Sequence, residues 1–185
     1  MRVARADPDL VNSDRELVLE LAQSGRLPAP LASNPLACEL EGQVLELATD
    51  RGLATLAFAP PARFAQGGGV LQGGIVAALL DFAMAFAAHA KLLRDDRGFA
   101  TASMSVHFLR PAPPARYLSR GRIVRAGRKL LFAEAELVAA PTHGGTAADG
   151  PARANGTPMT AAPASADAGG ELIATASAVL ALAER

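Results

Sequence analysis

The sequence predicts an α+β domain in which one antiparallel sheet of about six strands wraps around one long central helix. Residues 75–88 are apolar on every side apart from one aspartate, and a helix that is hydrophobic all round is normally enclosed by other elements. Residues 100–108 alternate between apolar and polar side chains, which is the period of a strand with one buried face. Such a sheet and such a helix can cover one another.

Composition excludes several classes of protein. The chain has 185 residues, enough for one domain of usual size, and its 18 basic and 18 acidic residues cancel. Nothing in this balance suggests nucleic acid or an acidic membrane as partner. Cys38 has no partner for an internal disulfide, and no Cys/His spacing typical of a metal site occurs. Residues 1–8 carry charges without an apolar run, so we expect a cytoplasmic protein.

The elements before the central helix follow from local signals. Residues 1–35 form an N-terminal helix and linker, with Asn12 or Ser13 as N-cap and an end near Gly25. The main domain covers residues 36–185 and begins with two predicted strands, at 36–48 and 53–58, joined by a turn.

The central helix carries the first candidates for chemistry. Its Ala, Leu and Met residues favour a helix, and the fourteen residues at 75–88, interrupted by Asp81, span only about 21 Å, which is too short for a membrane. Asp81 has no polar face to occupy, and burying a lone carboxylate is costly, so it is the leading candidate. A glycine-rich stretch at 66–74 precedes the helix, and the free N–H groups at a helix start favour an anion or oxyanion.

Four further strands are predicted after the helix, and we expect them to form a meander. The first is 100–108, on whose polar face lie Thr101, Ser103, Ser105 and His107. A hairpin follows at 117–125 and 130–138, and the last strand covers 171–182. Between them, residues 141–170 are predicted to be a flexible insertion, because they are almost entirely small or polar.

Five short motifs occur in a definite order. They are Val70-Leu71-Gln72-Gly73-Gly74, Ala78-Leu79-Leu80-Asp81, Phe108-Leu109-Arg110-Pro111, Gly127-Arg128 and Leu172-Ile173-Ala174-Thr175-Ala176. Together they resemble the hotdog fold and, within it, the PaaI-like acyl-CoA thioesterases of the 4-hydroxybenzoyl-CoA thioesterase superfamily. The resemblance covers about 36–140 and 171–182. It implies hydrolysis of an acyl- or aryl-CoA thioester, with no cofactor beyond the coenzyme A of the substrate.

The resemblance also assigns catalytic roles. In those enzymes a glycine N–H at the helix start polarises the thioester carbonyl, which implies this role for Gly73, with Gly74 as its neighbour. An acid nine positions after the family's histidine is nucleophile or general base, and 72 + 9 = 81 places Asp81 there. A side-chain amide six positions before the histidine assists, and 72 − 6 = 66 places Gln66 there. Gln72 replaces the histidine: it can still position a substrate by hydrogen bonds, but it cannot titrate.

Further residues are candidates for substrate binding. In the resembling enzymes a Ser or Thr early in the next strand often orients water or the acid, which implies Thr101 or Ser103. Arg110 and Arg128 are suited to the phosphates of coenzyme A. Phe82 is a candidate for the acyl pocket. Solvated strand ends are the alternative for the arginines, and the core is the alternative for Phe82.

The spacing on the helix predicts a homodimer. Eight residues separate Gly73 from Asp81, or about 12 Å, so one carbonyl cannot contact both within a single chain. A two-fold axis can bring Asp81 of one chain to the helix start of the other, as the resemblance also implies. Hotdog thioesterases often pair such dimers into tetramers.

Two other functions stay open at this stage. The departure at Gln72 favours a non-catalytic acyl-CoA-binding hotdog domain. A hotdog hydratase or dehydratase is the other alternative, but it needs a histidine paired with an acid, and no histidine stands at the helix start.

Overall fold

The computed structural model describes residues 13–140 and 170–183. Within these residues it has three α-helices: α1 (Ser13–Ser24), α2 (Pro35–Glu39) and α3 (Gly73–Lys91). The same residues contain seven strands: β1 (Ala29–Pro30), β2 (Gln43–Ala48), β3 (Leu53–Phe58), β4 (Phe99–Phe108), β5 (Tyr117–Ala126), β6 (Leu130–Ala139) and β7 (Leu172–Leu182). The insertion predicted at 141–170 lies outside the described residues, apart from Gly170.

All seven strands form one antiparallel sheet in the order β1-β2-β3-β5-β6-β7-β4. The sheet curves along α3 without closing, so the predicted sheet around a central helix is confirmed. The predicted meander of the last four strands is wrong. β4 does not pair with β5 but crosses to the far edge, where it pairs with β7, and β5 pairs with β3 instead. β4 is therefore an edge strand of ten residues.

The strand predicted over 36–48 is wrong in its first half. A short helix forms at 35–39, because the Asn34 side chain accepts a hydrogen bond from the Leu36 N–H at 3.1 Å and Pro35 fits the first helical turn. Ala37 and Leu40 are buried beneath this turn. The strand proper begins at Gln43, and β1 pairs with it from within the predicted linker.

Helix α3 packs closely on the inner face of the sheet. Its buried residues include Leu79, Leu80 and Met84, none of which is exposed to solvent. At Gly121 of β5, an added Cβ would lie 2.1 Å from the Ala83 carbonyl oxygen, which is closer than any real contact. Glycine is therefore required where the helix crosses this strand. α3 is apolar and long enough to pass a compositional test for a membrane span, but most of that window is buried in the protein, as in a core helix.

Helix α1 is confirmed where the sequence predicts it, with Val18 and Leu21 buried and an end before Gly25, which has a φ of 64°. It packs on α3. The Arg15 guanidinium donates to the Asp95 carbonyl at 3.1 Å, which fastens α1 to the loop after α3.

Candidate active site

The glycine-rich loop forms a tight turn that delivers the chain to the start of α3. Gln66 N–H donates to the Val70 carbonyl at 2.8 Å, and Gly69 N–H donates to the Gln66 carbonyl at 2.9 Å. Gly69 has a φ of 76°, which favours glycine. Leu71 N–H donates to the Ala112 carbonyl at 2.7 Å, so the loop is fixed against the segment that follows β4. The Gln66 side chain is exposed beside this turn.

The start of α3 is open to solvent. Gln72, Gly73 and Gly74 are all exposed, and the Gln72 side chain makes no capping hydrogen bond. The first N–H groups of a helix have no partner within the helix, and they lie at its positive end. Gly73 and Gly74 therefore present donors toward solvent, as expected for a group that binds an oxyanion.

Asp81 lies on a half-exposed stripe of α3, not inside the core of this chain. Ala77, Ala78 and Ala85 share its intermediate exposure. The sequence predicts burial on every side of the helix, and the single chain leaves this stripe open. The Thr101 hydroxyl of β4 donates to Asp81 Oδ1 at 2.9 Å. The carboxylate is thus oriented by a hydrogen bond from β4, on a helix position that is half-exposed.

A β-bulge decides between the two hydroxyls predicted near Asp81. The register of β4 against β7 shifts between Thr101 and Ser103. Thr101 consequently pairs with buried Leu180 and faces the helix, whereas Ser103 faces outward and lines a groove with Ser105. The predicted common polar face of β4 is therefore wrong at Thr101, because the extra residue of the bulge reverses the direction of the side chains.

The two predicted arginines lie at opposite ends of the sheet. Arg110 follows β4 near the start of α3, where its guanidinium forms an ion pair with Glu171 at 2.6 Å and donates to the Leu172 carbonyl at 3.0 Å. Arg128 lies in the β5–β6 turn, and its backbone carbonyl accepts from Arg97. This turn adjoins the other end of β4, about 30 Å away along a ten-residue strand. One chain does not bring both side chains to one ligand.

Phe82 is half-buried and packs on the Phe58 ring, with centroids 5.9 Å apart. Both rings join the core cluster under the first half of α3. Phe82 is one position from Asp81 but points toward β3 instead of toward β4. The structure therefore separates it from the Asp81–Thr101 pair within one chain.

Sequence reasoning missed Phe108 as a site residue. It assigned this side chain to the apolar face of β4, yet Phe108 is 57 % exposed and lies beside Gly73. No local signal distinguishes it, because an apolar residue that ends an alternating strand has the pattern of a core residue. Only the position of the helix start identifies it.

The outer face of the sheet carries a separate groove of about 710 Å³. It is crossed by the cross-strand ion pairs Arg120–Glu136 and Arg122–Glu134, and it includes His107. The sheet separates this groove from Asp81, so its size does not make it the active site. Among residues 13–140 and 170–183, no three His, Cys, Asp or Glu side chains are placed together to hold a metal ion.

His89 is buried near the end of α3. Its ring packs against Phe99 at 4.6 Å and edge-on against Phe86 at 6.4 Å. Burial lowers the pKa of His89 to about 4, although the charge of Asp14 opposes this shift; Arg15 adds to it. His89 is therefore neutral at physiological pH and belongs to the core, two turns from Asp81.

A family model described as the thioesterase superfamily matches residues 68–146. This range begins in the glycine-rich loop and contains both α3 and β4, which carry Asp81 and Thr101. This part of the chain is therefore similar to a thioesterase superfamily domain, and the similarity suggests a thioester hydrolase in general terms.

Solved structures show the same fold. A thioesterase family protein from Silicibacter pomeroyi has a TM-score of 0.64 and 23% sequence identity, over 91% of this chain and 97% of that one. A phenylacetic acid degradation-related protein from Ralstonia eutropha has a TM-score of 0.61 and 24% sequence identity, over 89% of this chain and 98% of that one. The E. coli PaaI protein of the phenylacetic acid degradation operon has a TM-score of 0.62 and 13% sequence identity, over 94% of this chain and 97% of that one. These likenesses establish the hotdog fold. No curated protein matches the sequence significantly.

Proposed function

We propose that the protein is a cytoplasmic acyl-CoA thioesterase whose active site forms between two copies of the chain. The observation that carries the proposal is the Asp81–Thr101 pair, an oriented carboxylate on the half-exposed stripe of α3 beside the edge strand of the described sheet. The similarity to thioesterases supports the proposal that this carboxylate acts on a thioester held at the helix start of a second chain.

The edge strand β4 supports a dimer of defined geometry. An edge strand of ten residues offers its free N–H and C=O groups to a second strand. If two β4 strands pair antiparallel around a two-fold axis near Met104, the end of β4 that carries Thr101 in one chain lies beside the end of its partner's β4 that carries His107. This end adjoins Phe108 and Gly73, so Asp81 of the partner subunit would approach the helix start.

The proposed chemistry uses both halves of this site. The thioester carbonyl accepts a hydrogen bond from Gly73 N–H, with Gly74 beside it, and the Gln66 and Gln72 side chains assist from the loop. Each preorganised donor of this kind contributes about 3 kcal/mol to stabilising the developing oxyanion. Asp81 of the partner subunit then either attacks the carbonyl carbon or takes a proton from an attacking water.

Both routes give the same products. Attack by Asp81 forms a mixed anhydride and expels the coenzyme A thiolate, which takes up a proton, and water then hydrolyses the anhydride. Attack by water gives the free acid and coenzyme A through a tetrahedral intermediate. Thr101 orients the carboxylate in either case.

The antiparallel dimer also gives the arginines a role. It turns the partner's β5–β6 turn, with Arg128, toward the end of β4 where Arg110 lies. Two guanidinium groups from different chains can then contact the phosphates of coenzyme A. Phe82, which packs on Phe58 of β3, stays in the core in this arrangement. Further pairing of dimers would give a tetramer.

The first test is thiol release from a panel of aliphatic and aryl CoA thioesters by wild type and Asp81→Asn. Loss of about 10²–10⁴-fold in kcat for Asp81→Asn, with an intact dimer, supports the proposal. Asp50→Asn removes an exposed carboxylate in the β2–β3 turn and is the matched control. Saturable acyl-CoA binding without turnover would instead favour the non-catalytic binding domain.

Gly73→Pro tests the oxyanion donor with little change in structure. Proline is tolerated at the first helical position, and Gln72, with φ −55° and ψ 136°, has the conformation that precedes proline. The substitution removes one N–H, so we expect kcat to fall by about 10²–10³-fold. Gly73→Ala keeps the N–H and is the control.

Mixing the two inactive variants tests whether the site spans two chains. A heterodimer of Gly73→Pro and Asp81→Asn contains one site with both groups intact. After random subunit exchange, about a quarter of wild-type activity should return. Exchange without recovery would contradict the shared site while leaving the activity itself in place.

A further inference from the structure

The Phe108 ring lies against the start of α3. A methyl group added at Gly73 would be 3.4 Å from Phe108 Cζ and 3.6 Å from Cε1, so the edge of the ring points at this glycine. The side chain is nevertheless 57 % exposed, and Leu109 beside it is 49 % exposed. A large apolar surface thus borders the group that is proposed to hold the thioester carbonyl.

Phe108 also ends an apolar row on the inner face of β4. Met104 and Val106 are half-buried on the same face, and all three pair with buried alanines of β7. The row runs from Gly73 back along the strand, between β4 and the open stripe of α3. None of its three side chains can pair with a charge.

We propose that Phe108 determines the acyl specificity of this site: its ring forms the wall beside the thioester carbonyl, selecting apolar acyl groups over acyl groups that end in a carboxylate. The inference rests on the proposed function. An acyl chain that leaves the carbonyl at Gly73 along this row would be covered by apolar side chains. The charged coenzyme A must leave in the other direction, because the row offers no cation to its phosphates.

A carboxylate carried along the same row would lose water without gaining a partner, which is costly. The guanidinium of Arg110, which follows the row two residues after Phe108, is already paired with Glu171 and with the Leu172 carbonyl. Discrimination against acidic acyl groups therefore follows from the lining itself. An aromatic acyl group gains further from contact with the ring of Phe108.

The test compares kcat/KM of wild type, Phe108→Ala and Phe108→Leu with benzoyl-CoA, hexanoyl-CoA and succinyl-CoA. We expect Phe108→Ala to lower the values for benzoyl- and hexanoyl-CoA about tenfold and to leave succinyl-CoA within about twofold. Phe108→Leu should restore the wild-type kcat/KM for hexanoyl-CoA but not for benzoyl-CoA. Phe132→Ala removes an aromatic ring that is 40 % exposed on the outer face of the sheet, and it should change none of the three.

Calorimetric binding of non-hydrolysable thioether analogues, hexyl-CoA and carboxypropyl-CoA, separates the two possible failures. If wild type hydrolyses these substrates and Phe108→Ala lowers kcat/KM equally for all three, or does not lower it, this inference is overturned and the proposed function stands. If wild type shows no turnover but binds hexyl-CoA, and this binding weakens about tenfold in Phe108→Ala, the proposed function is overturned and the inference is supported. If there is no turnover and no such binding, both proposals are overturned.

Discussion

Acidification should destabilise the folded protein through His89. Burial holds the pKa of this imidazole at about 4, whereas in the unfolded chain it returns to 6.5. The folded state binds a proton less readily, so the contribution to stability is complete above pH 6.5. It falls as the pH drops toward 4 and then stays constant. The free energy of unfolding should therefore be lower by about 2 kcal/mol at pH 5 and by about 3 kcal/mol at pH 4 than it is at neutral pH.

The measurement is urea unfolding followed by circular dichroism, since the sequence has no tryptophan and one tyrosine. Carboxylates also titrate in this range, so the comparison is with His89→Phe, which keeps an aromatic ring against Phe99 but has no proton to bind. The free energy of unfolding of wild type minus that of the variant should fall by about 3 kcal/mol between pH 7 and pH 4.

His107→Phe is the matched control, because His107 is exposed on the outer face and should leave the wild-type pH dependence unchanged. Parallel pH profiles for wild type and His89→Phe would refute the reasoning. They would mean that His89 reaches water, or a carboxylate such as Asp14, when it is protonated.

Three further predictions concern other parts of the structure. Gly121→Ala should lower the free energy of unfolding by about 3 kcal/mol or more, because its Cβ would lie 2.1 Å from a carbonyl oxygen of α3, whereas Gly74→Ala, with open space around it, should be neutral in thermal melting. Ser119→Ala should stabilise the protein by about 1 kcal/mol in urea unfolding, because the Ser119 hydroxyl is buried without a hydrogen-bond partner among the described residues. Thr101→Val should lower kcat about tenfold by freeing the Asp81 carboxylate that is proposed to be catalytic, while Ser103→Ala should not; equal effects would contradict the bulge geometry.

The sequence predicted those features that depend on neighbouring residues. The central helix and the approach to it could be recognised because periodicity and glycine content are local signals. Asp81 could be singled out for the same reason, as a charge in a segment without a polar face. The exposure of its stripe was not predicted, because composition does not show which side of a helix a small sheet leaves uncovered.

Two of the errors concern contacts between distant residues. The alternation of β4 predicts that Thr101 and Ser103 point the same way, but one extra residue, accommodated against β7, turns them apart. The exchange of β4 to the far edge depends likewise on β7, more than 60 residues later in the chain. Helix α2 was missed although Asn34 and Pro35 are recognisable start signals, because the following apolar residues also fit a strand.

The pairing of β4 has a consequence for the order of folding. Among the described strands β4 has one neighbour in the sheet, β7, which follows it by more than 60 residues in the chain. Until residues 172–182 have emerged from the ribosome, this pairing cannot form, and Thr101 is not held beside Asp81. Such distant pairings form late and slowly, because a long loop must be closed first. A nascent chain that already contains every proposed catalytic residue would therefore remain inactive until β7 is added.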